Sequence, residues 1–97
     1  GQKQAVSILR ALYFNPTILL LDEPTTALSE KAKKRLFVLL EEIKKDCPMI
    51  LITHDIFDAV RMCDRILVMK HGEIAYELKK KEGMREEEAF REIVKHF

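Results

Sequence analysis

Hydrophobic positions along this 97-residue chain follow two periods, and each change of period marks an element. Residues 2–14 carry Ala5, Leu9 and Leu12 at helical spacing, and Asn15-Pro16 ends that helix because the residue before proline disfavours it. A continuous apolar run then reads as a strand over 17–22, followed by a Pro24-Thr25-Thr26 loop. From Glu30 to Lys45 the helical period returns, with Ser29 as N-cap and Leu36, Leu39, Leu40 and Ile43 facing a core. Cys47-Pro48 breaks the chain before a second strand at 49–53, and Asp55 is placed to cap a short helix ending at Val60 or Met62. Strands at 65–70 and 73–78 flank His71-Gly72, a two-residue hairpin turn. Beyond Lys79-Lys80-Lys81, a solvated run that an anionic surface attracts weakly, residues 85–97 form an amphipathic helix. Its stripe of Phe90, Ile93, Val94 and Phe97 reads as core packing or as a partner-binding face.

The strand–helix–strand order over 17–53 defines a βαβ unit with parallel strands and a right-handed crossover. Such a run, apolar at every position, is expected to be buried on both faces. Residues Ile18-Leu19-Leu20-Leu21 lead straight into Asp22-Glu23-Pro24, and proline ends the strand just past the carboxylates. Asp22 and Glu23 therefore fall at the carboxyl end of a parallel strand, the edge where open α/β sheets bind ligands. Two acids there suit a divalent metal and a water to be activated. The plain alternative is a strand with an acidic exit turn. His54 closes the second strand at the same edge, which favours a site over a helix-capping or core histidine.

Composition narrows the classes. With 47% apolar residues the chain is not of a disordered type. Lys and Arg number 17 against 16 Asp and Glu, a balance that leaves no footprint for nucleic acid. Cys47 and Cys63 are too few for a disulfide framework, and reduced cytosolic thiols are expected. The apolar runs are shorter than a bilayer span and no signal-peptide pattern opens the chain, so membrane association is expected only through a partner.

Several motifs in order resemble one family, the ABC-type ATPases that form the nucleotide-binding subunits of ABC transporters. Ile18–Pro24 is similar to the Walker B strand with its following glutamate, Thr26-Ala27-Leu28-Ser29 to the D-loop, and Ile52-Thr53-His54-Asp55 to the switch-histidine loop. Gly1-Gln2-Lys3-Gln4 with Arg10-Ala11-Leu12 resembles the tail of the LSGGQ signature and its helix. Cys63–Met69 and His71-Gly72-Glu73-Ile74 resemble the closing hairpin. The resemblance implies an α/β fold, a partial P-loop NTPase with parallel strands, a C-terminal β-hairpin and flanking helices. Residues 1–78 would be the C-terminal part of the catalytic domain, and 79–97 a linker and amphipathic helix.

The same resemblance implies roles. Asp22 would hold Mg²⁺ through water, Glu23 would orient or deprotonate the water attacking the γ-phosphate of ATP, and His54 would contact that phosphate. Gly1 and Gln2 would present helix-opening amides to the nucleotide of the opposite subunit, and Ser29 would sit at the dimer seam. Thr25 and Thr26 read as loop formers, and Gly72, Cys47 and Cys63 as structural. Partners would be a second ATPase subunit and the transporter's membrane subunits, at the cytoplasmic face, with no nucleic acid.

Two departures qualify this. Ser29 replaces the usual aspartate, as in some carbohydrate importers, which puts the usual D-loop contacts in doubt. No G-x-x-x-x-G-K-[ST] loop and no Gln loop occur in the chain, so the isolated chain is expected to be inactive. The apolar strand edge left open is expected to be met by self-association, strand exchange, or a shift of hairpin 65–78 into the gap. Two other readings stay open. One is an ABC-type ATPase acting on nucleic acid or ribosomes, although Thr25-Thr26 stands where translation-associated members read Asn-His. The other is a non-catalytic docking fragment.

Overall fold

A computed structural model describes the backbone of residues 2–13 and 15–97, and the side chains of those residues other than 2–5, 9 and 11. Eight elements follow in order: α1 (Gln2–Tyr13), β1 (Leu19–Asp22), α2 (Glu30–Ile43), β2 (Met49–Ile52), α3 (Ile56–Met62), β3 (Arg65–Lys70), β4 (Glu73–Lys79) and α4 (Glu86–His96). They divide into two compact units, one ending at Ile52 and the other beginning at Thr53.

In the first unit β1 and β2 pair in parallel, with Leu19 opposite Met49 and Asp22 opposite Ile52. The ladder runs one bond past each end of β1, as Leu19 N–H donates to Pro48 O at 2.9 Å and Glu23 N–H to Ile52 O at 2.7 Å. Helix α2 supplies the crossover. Ser29 caps it, its Oγ accepting from Ala32 N–H at 3.1 Å, and this satisfies one of the orphan donors of the first turn. Buried positions of α2 are Leu36, Phe37 and Leu40, with Leu39 and Ile43 only half-buried, so Phe37 displaces the expected stripe by one position. On α1, Ile8 is buried and Leu12 half-buried; the expected facing of Ala5 and Leu9 lies outside the described side chains.

The expectation of a strand buried on both faces does not hold. Leu19 and Leu21 are buried, whereas Leu20 is 62% exposed, and Ile50 and Ile52 of β2 are exposed beside it. An apolar run records which residues tolerate burial, but a second covering layer has to come from another segment. Among the described residues the sheet has two strands and one open face.

The second unit is built on the antiparallel hairpin β3–β4. His71 and Gly72 take positive φ of 53° and 78°, the type I′ geometry that matches strand twist. A register shift between Val68 and Met69 adds a bulge, so β4 uses one more residue than β3. Among the described residues the hairpin forms its own two-stranded sheet, with no strand of the parallel pair hydrogen-bonded to it. Lys79 ends β4 and Lys80 N–H donates to Asp64 O at 2.9 Å, which draws part of the lysine run into the sheet.

Helix α4 packs on α3 and β4. Val60, Ile66, Val68, Leu78, Ala89 and Ile93 form the core, with Phe90 and Tyr76 against its rim. Phe57 stacks on Phe90 and Tyr76 on His96, at ring separations of 4.5 Å and 3.7 Å. The buried stripe of α4 is therefore Ala89, Phe90 and Ile93, while Val94 and Phe97 of the expected stripe lie exposed. Alanine at position 89 lets the helix approach the sheet closely, a fit that a hydrophobicity pattern does not record. Neither Cys47 nor Cys63 is in a disulfide among the described residues, and Cys47 is buried with Sγ 3.5 Å from Pro48 O.

Candidate functional site

Parallel pairing places Asp22 and Glu23 where β1 stops. Asp22 is the last residue of the strand and is exposed, on the same open face as Leu20. Glu23 is the first residue beyond it and half-buried. Its backbone is held from two directions: its N–H donates to Ile52 O, and its own carbonyl accepts from Thr26 N–H at 3.3 Å. Glu23 also adopts φ of 48°, a left-handed conformation that costs an L-residue roughly 1–2 kcal/mol. Strain of this kind persists only where surrounding structure over-determines it, and it clusters at functional sites.

The loop that follows is a chain of turns. Pro24 is buried, Leu28 N–H donates to Thr25 O at 3.2 Å, and Ala27 takes φ of 67°. Ser29 then caps α2, its carbonyl accepting from Lys33 N–H at 2.9 Å. Asp22, Glu23 and Ser29 thus share one short segment of linked turns. Left-handed backbones at Glu23 and Ala27 were not legible beforehand, because neither residue type marks such a conformation.

His54 is the second residue of the second unit, two past Ile52, and is exposed. Its neighbours are organised around the start of α3: Asp55 N–H donates to Thr53 Oγ1 at 3.0 Å, and Asp55 Oδ1 accepts from Asp58 N–H at 3.2 Å. That is the cap expected of Asp55. Gln2 begins α1 through its backbone, while Gly1 lies outside the described residues.

Among the described residues, no three His, Cys, Asp or Glu side chains gather as a metal cage. A hard cation held by one carboxylate, with water and phosphate oxygens completing its octahedron, needs no such cage. Exposed Asp22 at a strand terminus fits that kind of ligation. Among the described residues, no helix is long and apolar enough to cross a membrane.

Together, the parallel β1–α2–β2 unit, the hairpin and the carboxylates at the strand end are those of a segment of a P-loop NTPase domain. No protein-family model matches the chain. The xylose/arabinose import ATP-binding protein XylG of Sulfolobus acidocaldarius is 40% identical over 88 residues, which is 90% of this chain and 35% of that protein. Among solved structures, the dimeric structure of MJ0796, a bacterial ABC transporter cassette, matches at 39% identity and TM-score 0.69, covering 80% of this chain and 34% of that one. CbiO1 from Clostridium perfringens, part of the ABC transporter complex cbiONQ, matches at 33% identity and TM-score 0.77, covering 95% and 35%. The chain is a segment of an ABC-type ATPase cassette, spanning about a third of the length of the relatives it matches.

Proposed function

We propose that this chain carries the water-activating carboxylates of an ABC transporter ATPase, which energises membrane transport by hydrolysing ATP at a dimer interface. One observation carries the reading: the β1–β2 pair delivers Asp22 and Glu23 to the carboxyl edge of a parallel strand and ties Glu23 to Ile52. Asp22 would hold Mg²⁺, which would supply positive charge to neutralise the phosphates. Glu23 orients the attacking water or takes its proton, and the locked backbone keeps that carboxylate in place. His54 contacts the γ-phosphate. Gly1 and Gln2 are assigned to the nucleotide of the opposite subunit, with Gln2 at the start of α1, and Ser29 is assigned to the seam while it caps α2.

Partners of this reading are a second ATPase subunit and membrane subunits at the cytoplasmic face. A dimer is the state of the MJ0796 cassette, and import is the role in the name of XylG. Residues 1–78 belong to the catalytic domain and 79–97 form its C-terminal extension. The open face of Leu20, Ile50 and Ile52 favours self-association of the chain in isolation.

A segment exchange tests the proposal. XylG carrying this chain in place of its matched residues is expected to hydrolyse ATP, and Glu23→Gln in that protein to lower kcat by about 10²-fold or more. Hydrolysis at an unchanged rate in the Glu23→Gln protein overturns the assignment.

A further inference from the structure

We propose that an apolar patch shared by α3 and α4 docks a second copy of this chain, the two α4 helices running antiparallel with Glu87 of each beside the partner's Arg91. Around α4 the surface changes character in order. Ala89 and Ile93 are buried in the core of the second unit. Next to them around the helix come Phe90, Val94 and Phe97, at helical spacing. Phe57 of α3 stacks on Phe90 at 4.5 Å, so two packed helices contribute four apolar side chains to one patch. Phe57 and Phe97 are 69% and 63% exposed, and Val94 is 46% exposed. Single exposed apolar residues are ordinary, but a contiguous group of this kind marks an interaction surface.

Charge identifies the occupant. On the far flank of α4, away from the patch, charges are paired within the helix: Arg85 Nε donates to Glu88 Oε1 and Lys95 Nζ to Glu92 Oε1, both at 3.1 Å. On the flank beside Phe90 and Val94, Glu87 and Arg91 stand one turn apart and exposed. Neither forms an ion pair among the described residues, although their spacing permits one. An acid and a base so placed are complementary to their own copy. A two-fold axis at the level of Ala89 and Phe90 reverses the second helix and sets each Glu87 against the partner's Arg91. A parallel arrangement would set like charges side by side, and the helix dipoles also favour the antiparallel one. A partner of a single sign would answer only one of the two charges. Burial of the aromatic patch supplies the attraction, and the paired charges fix orientation.

Amide chemical shifts of the full 97-residue chain, followed on dilution without nucleotide, test this independently of the catalytic reading. The patch is smaller than a standard interface, so Kd is expected on the order of 10⁻⁴ M, with concentration-dependent shifts at Phe57, Phe90 and Val94. Glu87→Arg and Arg91→Glu each leave two like charges on the flank, and each variant is expected to pair with itself about tenfold more weakly than the parent. Mixed together they restore both contacts, and Kd is expected to return to within about threefold of the parent. Glu73→Arg and Lys70→Glu at the hairpin end make the same charge changes away from the patch. Mixing those two is expected to show no such preference at about 0.15 M salt, where exposed charges beyond roughly 8 Å are screened. A parent chain without concentration-dependent shifts on α3 and α4 overturns the proposal, and that measurement needs no variant. Shifts confined to β1 and β2 also overturn it, because the chain then associates through its open sheet face. So does equal pairing of the Glu87→Arg chain with itself and with the Arg91→Glu chain, or an equal preference in the hairpin controls.

Discussion

At the scale of single residues, position 29 shows how one side chain meets two demands. Serine stands where an aspartate is usual in the resembling family, and its hydroxyl accepts from Ala32 N–H at the start of α2. Serine and aspartate are both good N-caps, so the start of α2 tolerates the exchange. Ser29→Ala is expected to destabilise the chain by about 1 kcal/mol in chemical denaturation, and Ser29→Asp to leave it near the parent. A Ser29→Ala chain as stable as the parent means that the cap contributes nothing to the first turn. Glu23 illustrates the opposite relation between residue and fold. Its carboxylate was legible from Leu-Leu-Leu-Asp-Glu-Pro, but its left-handed backbone depends on Ile52, which arrives only through strand pairing.

At the scale of elements, local signals were read well where the chemistry is local. Ser29 and Asp55 cap the helices that their positions implied, and His71-Gly72 turns the hairpin as expected. Gly72 has φ of 78° and open space where a Cβ would stand, so a substitution there carries a conformational cost alone. Gly72→Ala is expected to lower stability by roughly 1 kcal/mol, measured by thermal unfolding, without altering strand register. Burial was read less well. The faces of α2 and α4 each moved by one position, toward Phe37 and Ala89, because helical periodicity gives an apolar arc and the partner surface selects its centre.

At the scale of the molecule, the chain matches about a third of a solved ABC ATPase cassette, and one face of its parallel pair is apolar and open. Phosphate binding makes the same point. The sequence contains no G-x-x-x-x-G-K-[ST] pattern, the type of loop that wraps the α- and β-phosphates. Calorimetric titration of the 97-residue chain with Mg–ATP is expected to show no micromolar binding; a clean signal abolished by Asp22→Asn refutes this. From the sequence alone came the order of elements, the caps, the hairpin turn and the carboxylates at a strand end, because each depends on neighbouring residues and on steric limits of the backbone. Tertiary structure decided which side of each element is covered, that β1 keeps an exposed face, and that Glu23 holds positive φ. Those outcomes depend on bonds and surfaces brought together from distant parts of the chain, and no local pattern records them.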